Sequence, residues 1–302
     1  IHAINLIGTS TPPPGATLED VNVKPPIAIA NGLCMMVKSH SKVSMGHLST
    51  IAASYLDQAE NQKTLCPEAV KYCKSRQTAD LALIQTGMPI TILRPGYMYN
   101  EMQGTEVDTG HAYSPEQFAM SPVHMVLGSG QQIQQPVFSQ DVVTGLLNGV
   151  ESGHRHLINA VGPQAMTQME VLHFFTRLFQ KNIKPVHIPY GLAEVIARNF
   201  PKGRIAPYAI AMFKMMENQN TGPLCSKDFE NLVGAPLTSM NDVYSNLDGQ
   251  VLIAPSMPIG DHMKQIAVLC KNNPQAFKEL SMALVKFGPN LFYQALRSYI
   301  TN

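Results

Sequence analysis

Charged side chains are scarce in this chain of 302 residues. Only 14% are Asp, Glu, Lys or Arg, against about 25% in ordinary soluble domains. The net charge is +1, so the basic excess typical of nucleic-acid-binding proteins is lacking and we expect no nucleic-acid partner. So little charge is typical of a subunit enclosed by partners or resting near a membrane. A neutral soluble protein rich in Gln, Asn and Ser would have the same composition, so both interpretations stay open.

Paired cysteines and long apolar runs are also lacking. The five cysteines are scattered and form no C-x-x-C motif, which indicates reduced thiols rather than a disulfide framework. No run of about 18 apolar residues occurs, so we expect no segment that spans a bilayer. The start shows no secretory leader pattern. Because the chain begins at Ile1 inside a strand-like run, we expect a processed or incomplete segment.

Apolar runs and turn residues divide the first half of the chain into strands and helices. Residues 1–8 have the pattern of a buried strand that ends at a glycine. Residues 67–86 have the pattern of a helix, with a proline in its first turn and a glycine at its end. Residues 42–49 and 89–94 read as further strands. This alternation predicts an α/β fold with a Rossmann-like parallel sheet.

The rest of the chain predicts a smaller α/β portion and a helical extension. A helix is expected from Asp141 to about Val150, and Thr167 with Glu170 forms a capping box before another helix. The remaining predictions are strands at 156–162 and 184–189 and helices at 191–200, 261–271, 274–286 and 290–299. We therefore expect a partial Rossmann-like domain over 1–150, a smaller α/β portion over 151–250 and an extension over 251–302.

Tyr72 and Arg76 are the first candidate functional pair. They lie four residues apart on the predicted helix, so both side chains project from one face. A cation beside a phenol favours the ionised phenol, which a proton-transferring tyrosine needs. Ser44, placed at the end of a preceding strand, would add a hydroxyl group. An ordinary amphipathic helix with a half-buried tyrosine has the same spacing.

Two further segments are typical of ligand-binding edges. The predicted strand over 89–94 stops at Pro95 and Gly96, and ligands bind where parallel strands end. Further on, Gly128 and Gly130 form a turn before an extended run that leads to Asp141. By themselves, these segments also fit ordinary turns.

In this order and at these separations, the segments resemble the extended short-chain dehydrogenase/reductase superfamily. Within it, the chain is most similar to an atypical, non-catalytic group: the nucleotide-binding accessory subunits of mitochondrial respiratory complex I, of the alpha-subcomplex subunit 9 type. The likeness covers about residues 3–240. The segments that carry it are AINLIG (3–8), LEDVNVKP (18–25), IAIA (27–30), HL (47–48), KY (71–72), QPVF (135–138), DVV (141–143) and VGP (161–163).

The resemblance implies a structural role near the junction of the two arms of complex I. It implies a peripheral position on the matrix side of the mitochondrial inner membrane, other subunits of the respiratory complex as partners, and a bound NADPH as a structural ligand. It also implies which residues contact that cofactor: Leu6, Ile7, Gly8, Ser44, Tyr72, Arg76, Pro95, Gly96 and Tyr97. A catalytic relative would use Tyr72 as acid and base, Ser44 as a hydroxyl donor and Arg76 at the cofactor ribose.

The chain departs from the superfamily pattern in three places. The Gly-x-x-Gly-x-x-Gly turn that cradles a pyrophosphate does not occur in this sequence, and in the superfamily it precedes a strand like the one at Ile4–Ile7. Arg76 stands in place of the usual lysine and cannot serve as the ordinary proton relay. Asn100 stands where a glycine is usual. These departures favour a protein that performs no hydride transfer.

Other candidate sites have less support. His154 and His156 lack a third ligand in the sequence, so we expect no metal site. The stretch 191–216 combines basic and apolar residues and fits either a peripheral membrane contact or a packed helix pair. Besides the accessory subunit, two functions stay open: a catalytic extended short-chain dehydrogenase or epimerase using NAD(P), and a regulator that senses NAD(P) without turning it over.

Overall fold

The computed structural model describes residues 1–10, 12–37, 42–57, 65, 67–100, 123–180, 182–199, 210, 213–214, 216–217, 226–245, 278 and 282. The predicted helices after residue 251 therefore lie outside the described residues, apart from two isolated positions. Within the described ranges, no helix is long and apolar enough to cross a membrane.

Strands and helices alternate along the part of the chain that builds the main sheet, as the sequence predicts. The strands are β1 (His2–Asn5), β2 (Ser44–Leu48), β3 (Ile90–Pro95), β4 (Met98–Tyr99), β5 (Val123–Leu127), β6 (Ile133–Gln134), β7 (Val137–Phe138), β8 (His156–Ala160), β9 (Met166–Thr167) and β10 (Lys184–Ile188). The helices are α1 (Leu18–Asn22), α2 (Lys24–Met36), α3 (Pro67–Gln85), α4 (Ser139–Ser152), α5 (Gln168–Leu178), α6 (Tyr190–Asn199), α7 (Lys227–Val233) and α8 (Met240–Tyr244). A 3₁₀ segment covers Ile51–Asp57.

Four strands form a parallel sheet in the order β1-β2-β3-β8. The register places Ile4 beside Gly46, Gly46 beside Thr91, and Pro95 beside Ala160. The α/β fold with a Rossmann-like parallel sheet is confirmed. Local signals explain its elements, because α2 has proline in its first turn and Gly87, with φ +77°, follows the end of α3.

Helices cover both faces of this sheet. On one face, α2 and α3 bury Ala30, Leu33 and Leu83 against Met45, Ile90 and Ile92. On the other face, α4 and α7 pack over the central strands and β8. Helix α4 lies close to β2 and β3 because glycine, which has no side chain, stands at two contact positions. A Cβ on Gly149 would lie 2.5 Å from Cγ2 of Thr91, and a Cβ on Gly46 would lie 2.9 Å from Cγ2 of Val150.

Strand β1 differs from its prediction in length and burial. It covers only His2–Asn5, and the residues expected to be buried at its end are exposed, with Ile4 at 42% and Leu6 at 64% of their surface. Among the described residues, β1 pairs only with β2, and α4 lies over β2 and β3. The apolar pattern was therefore a correct signal for a strand, and the expectation of burial was wrong.

The contacts of the chain define two compact units. The first comprises residues 1–100, 134–165 and 222–243, and it contains the four-stranded sheet. The second comprises residues 101–133, 166–221 and 244–302. This division differs from the predicted boundaries at 150 and 250, because α7 returns within the first unit to pack on α4, where Gly145 meets Phe229.

The second unit is built on a parallel pair of strands, β5 and β10. Helix α5 begins at the predicted capping box, in which the Thr167 hydroxyl accepts from the backbone of Glu170 and the Glu170 carboxylate accepts from the backbone of Thr167. Its apolar face buries Phe175, which stacks on Phe179 at 5.9 Å and contacts Tyr244. The extended run at 184–189 is confirmed as β10.

Candidate functional site

The carboxyl ends of β1, β2, β3 and β8 meet at one edge of the parallel sheet. The residues that follow these strands are Leu6–Gly8, Ser49–Thr50, Gly96–Tyr97 and Val161–Gly162. In open α/β sheets, ligands bind outside this edge. Most of the predicted cofactor contacts lie here, so this edge is the candidate site.

Helix α3 brings Tyr72 and Arg76 together beside this edge. Both side chains are buried, Arg76 with 7% of its surface exposed. As the four-residue spacing predicts, they face the same way, and the guanidinium carbon of Arg76 lies 5.9 Å from the centre of the Tyr72 ring. At this distance the ring face attracts the cation, which holds the two groups as a unit.

Gly8 lies directly against the guanidinium of Arg76. A Cβ atom on Gly8 would fall 2.1 Å from both Nη1 and Nη2 of Arg76. A side chain here would displace the guanidinium, so glycine lets the backbone after β1 rest on the charged group. The structure therefore brings Gly8, Tyr72 and Arg76 into one cluster at the carboxyl end of β1.

A buried asparagine fixes the loop after Gly8. The Asn22 side chain accepts from the backbone N–H of Thr9 and donates to the carbonyl of Thr9, both at 2.9 Å. Its amide also donates to the Ser75 hydroxyl at 3.0 Å, and Ser75 precedes Arg76 on α3. The loop is thus tied to the helix beside the guanidinium. Sequence reasoning missed Asn22, because a polar residue in a short helix carries no signal of its contacts.

Beneath this cluster lies a buried polar network that links four elements. The Arg94 Nε atom donates to Asp80 at 2.7 Å, and the Nε2 atom of His47 lies 3.7 Å from the other carboxylate oxygen. The side-chain amide of Asn5 contacts Nδ1 of His47 at 2.9 Å. Burial lowers the pKa of His47 to about 3, with a further contribution from the charge of Arg76. His47 is therefore neutral at physiological pH.

The structure corrects the placement of Ser44. It begins β2 and so lies at the amino end of the sheet, where its hydroxyl donates to the carbonyl of Val150 at 2.7 Å and contacts Nδ1 of His2. A strand of five residues places its first and last residues at opposite edges of the sheet. The hydroxyl residue at the carboxyl end of β2 is Ser49, which is buried and donates its backbone N–H to Leu93.

Pro95 ends β3, and Gly96 and Tyr97 follow it; all three lie at the same edge as Gly8 but two strands away from β1. The backbone N–H of Gly96 donates to Ala160, and the carbonyl of Tyr97 accepts from Val137. Leu6 and Ile7 are exposed beside Gly8. Among the described residues, no group of three His, Cys, Asp or Glu side chains could hold a metal ion.

Comparison with known proteins identifies the fold. No protein-family model matches the sequence, and no curated protein matches it. Among solved structures, UDP-glucuronic acid 4-epimerase from Bacillus cereus, in complex with UDP-glucuronic acid and NAD, is similar with a TM-score of 0.50 and 13% identity. The match covers 87% of this chain and 76% of that one.

Two further structures have similar scores. MoeE5 in complex with UDP-glucose and NAD has a TM-score of 0.52 and 12% identity, over 82% of this chain and 77% of that one. The dTDP-glucose 4,6-dehydratase from Bacillus anthracis, in complex with NAD, has a TM-score of 0.51 and 14% identity, over 82% and 71%. At these identities the comparisons show the fold alone, an α/β fold with a Rossmann-like parallel sheet.

Proposed function

We propose that this chain is a non-catalytic accessory subunit of mitochondrial respiratory complex I that holds a nicotinamide dinucleotide as a structural ligand. We place it on the matrix side of the inner membrane, in contact with other subunits. The proposal is supported by the ordered sequence segments that resemble such subunits, by the confirmed Rossmann-like fold, and by the altered residues at the carboxyl edge of the sheet.

The observation that carries the non-catalytic part is the buried Arg76. Arginine stays protonated at any physiological pH, so it cannot pass a proton as the usual lysine does. Its guanidinium is packed between the Tyr72 ring and Gly8 rather than presented to solvent. The pair that would move a proton in a catalytic relative is therefore converted into a packed, permanently charged unit.

The residues present fit part of a dinucleotide. Gly8, Tyr72 and Arg76 would contact it beside β1, and Gly96 with Tyr97 would flank it after β3. In catalytic proteins of this fold the nicotinamide group supplies hydride transfer. The Gly-x-x-Gly-x-x-Gly turn does not occur in these 302 residues, so these residues supply no such cradle for a pyrophosphate. A ligand that binds only the folded chain raises its stability by mass action.

An exposed apolar strip supports the assembly part of the proposal. Ile4 and Leu6 are 42% and 64% exposed beside β1, and Val143 and Leu147 of α4 are 47% and 44% exposed. On α4 these two lie on the flank opposite Gly145, which faces Phe229 of α7. Because α7 lies over β8 at the far side of the sheet, that flank points toward β1. We infer that these four side chains belong to one apolar surface, of the kind that a partner covers.

Assembly of tagged chains into complex I tests whether these exposed apolar side chains form an interface with other subunits. In mitochondria of the source organism, the double variant Leu6→Gln/Leu147→Gln should leave the folded chain intact but remove it from the native-gel band of complex I. Thr78→Gln, which changes an exposed residue of α3, is the matched control and should assemble normally. Normal assembly of the double variant would count against this surface.

Ligand binding and turnover test the rest of the proposal. The purified chain should bind NADPH or NADH in calorimetric titration and should leave the cofactor unoxidised in the presence of nucleotide sugars. Tyr72→Phe should likewise leave the cofactor unoxidised, because the hydroxyl performs no reaction. A chain that binds neither cofactor would contradict the structural-ligand part.

A second candidate is a catalytic epimerase or dehydratase that uses NAD(P). The fold similarity to enzymes of this kind and the proximity of Tyr72 to the candidate edge favour it. UDP-glucuronic acid, UDP-glucose and dTDP-glucose are the substrates to test, with NAD added. Turnover that falls at least a hundredfold in Tyr72→Phe would establish this function and exclude the first.

A further inference from the structure

Arg76 is a buried cation whose hydrogen-bonding capacity is largely unused. Two of its nitrogen atoms, Nε and Nη1, are buried and have no hydrogen-bond partner in the described parts of the chain. No ion pair within 4.0 Å joins Arg76 to a carboxylate among those residues. Since a guanidinium has five N–H donors and no acceptor, this arrangement leaves donors without an acceptor among the described residues.

Among the residues that the structure describes, the charges around Arg76 do not balance. Asp80 is the nearest buried carboxylate of the network, but its close partner is Arg94, at 2.7 Å. Burial raises the pKa of Asp80, although Arg94 and Arg76 both oppose the rise. His47 is neutral, and Asp57 is an exposed carboxylate 3.6 Å from Arg94. Within the described part of this network, the one buried carboxylate therefore pairs with Arg94 and not with Arg76.

A buried charge without a partner is costly and is rarely kept for packing alone. An apolar side chain of similar length, such as methionine, would fill the same space between Tyr72 and Gly8 without that cost. The missing partner is therefore expected to be a negative charge. Gly8 is exposed and lies on the guanidinium, so the cation is one residue deep beneath the surface at the ligand-binding edge.

We propose that Arg76 and Gly8 form a binding site for an anionic oxygen group, a phosphate or a carboxylate, which reaches the guanidinium past Gly8. A guanidinium binds two such oxygens side by side, and charge-assisted bonds of this kind are about twice as strong as neutral ones. This differs from the resemblance, which assigns a neutral ribose hydroxyl to this position. The site deepens the proposed function, because it names the chemical group that the ligand must present there.

Thermal unfolding with inorganic phosphate as the probe tests the site. Unfolding of the full chain is followed by far-UV circular dichroism, with chloride added to keep the ionic strength constant. The wild-type midpoint should rise saturably by several degrees. Lys74→Gln, which removes an exposed cation from the same helix, should show the same rise.

Two Arg76 variants complete the test. Arg76→Met should show no saturable rise, and in phosphate-free buffer it should melt no lower than the wild type, because it removes an unpaired buried charge. Arg76→Lys should need at least tenfold more phosphate for half of the rise, because an ammonium group lacks the paired donors. A wild-type chain without a saturable response, or an equal response in both Arg76 variants, would overturn the proposal. If Arg76→Met does not fold, the comparison with Arg76→Lys decides.

Calorimetric titration with NADPH separates this site from the proposed function. Competition between phosphate and NADPH supports both. NADPH binding that phosphate neither weakens nor mimics would refute the anion site and leave the structural ligand standing. A saturable response to phosphate without any binding of NADPH or NADH would retain the anion site and refute the dinucleotide.

Discussion

Asp80 holds the buried network together, so replacing it with asparagine is the most informative change to the fold. The side chain is fully buried and accepts from Arg94 at 2.7 Å, with His47 at 3.7 Å. Asparagine has nearly the same shape but no charge. Asp80→Asn therefore leaves Arg94 and Arg76 buried without a buried carboxylate between them.

The loss of stability in Asp80→Asn depends on which carboxylates remain near Arg94. Removing one partner of a buried ion pair costs about 3–5 kcal/mol. Asp57 still lies 3.6 Å from Arg94, but it is exposed, and an exposed pair contributes at most about 1 kcal/mol. We therefore expect Asp80→Asn to lower the free energy of unfolding by about 3 kcal/mol, the lower end of that range. For a unit of this size that lowers the melting midpoint by about 6–12 °C.

Because the chain contains no tryptophan, unfolding is best followed by far-UV circular dichroism. Arg94→Met and the double variant Asp80→Asn/Arg94→Met complete a cycle. The double variant should be more stable than the sum of the single losses by about 1–3 kcal/mol, because it removes both members of the pair. A loss below about 1 kcal/mol in Asp80→Asn, or losses that add within about 0.5 kcal/mol, would refute the assigned role of Asp80.

The remaining predictions concern pH, close packing and capping. Burial lowers the pKa of His47 from 6.5 to about 3. The unfolded chain binds this proton below pH 6.5 and the folded chain does not, so stability should fall from pH 6.5 toward 3; an equally steep fall in His47→Gln would contradict this. Gly149→Ala places a Cβ 2.5 Å from Thr91 and should lower the free energy of unfolding by about 1–3 kcal/mol. Gly32→Ala, which lies in open space on α2, should raise it by about 0.5–1 kcal/mol. Equal effects of the two variants in denaturant titrations would refute the packing argument. Thr167→Ala removes the capping box and should cost about 1 kcal/mol, measured in the same way, and no loss would show that the cap contributes nothing.

The sequence predicts the elements that have a local cause. The helix α3 has proline in its first turn and glycine after its end, and α5 begins at its capping box, so their positions match the prediction within a residue or two. Strand β1 shows the limit of this reasoning. Its apolar pattern indicates a strand, but burial depends on which neighbours cover it, and the pattern does not contain that information.

The candidate site is predictable only where its residues are close in the sequence. Tyr72 and Arg76 share a helix, so their spacing predicts their contact. Asp80 lies on the same helix, four residues after Arg76, so its spacing also predicts that it lies near the pair. Asn22 and His47 come from α1 and β2, and only the packing of the fold brings them near that pair. The error at Ser44 has a simpler cause, since the predicted strand is correct but the serine is its first residue rather than its last.

The central claim is that this chain serves complex I as a subunit rather than acting alone as an enzyme. Its most direct test is to separate detergent-solubilised mitochondrial membranes of the source organism on a native gel and to identify this chain in each band by mass spectrometry. The account predicts that the chain migrates with the band that has NADH dehydrogenase activity. Recovery as a free protein outside any respiratory complex, one that converts a nucleotide sugar with NAD, would contradict it.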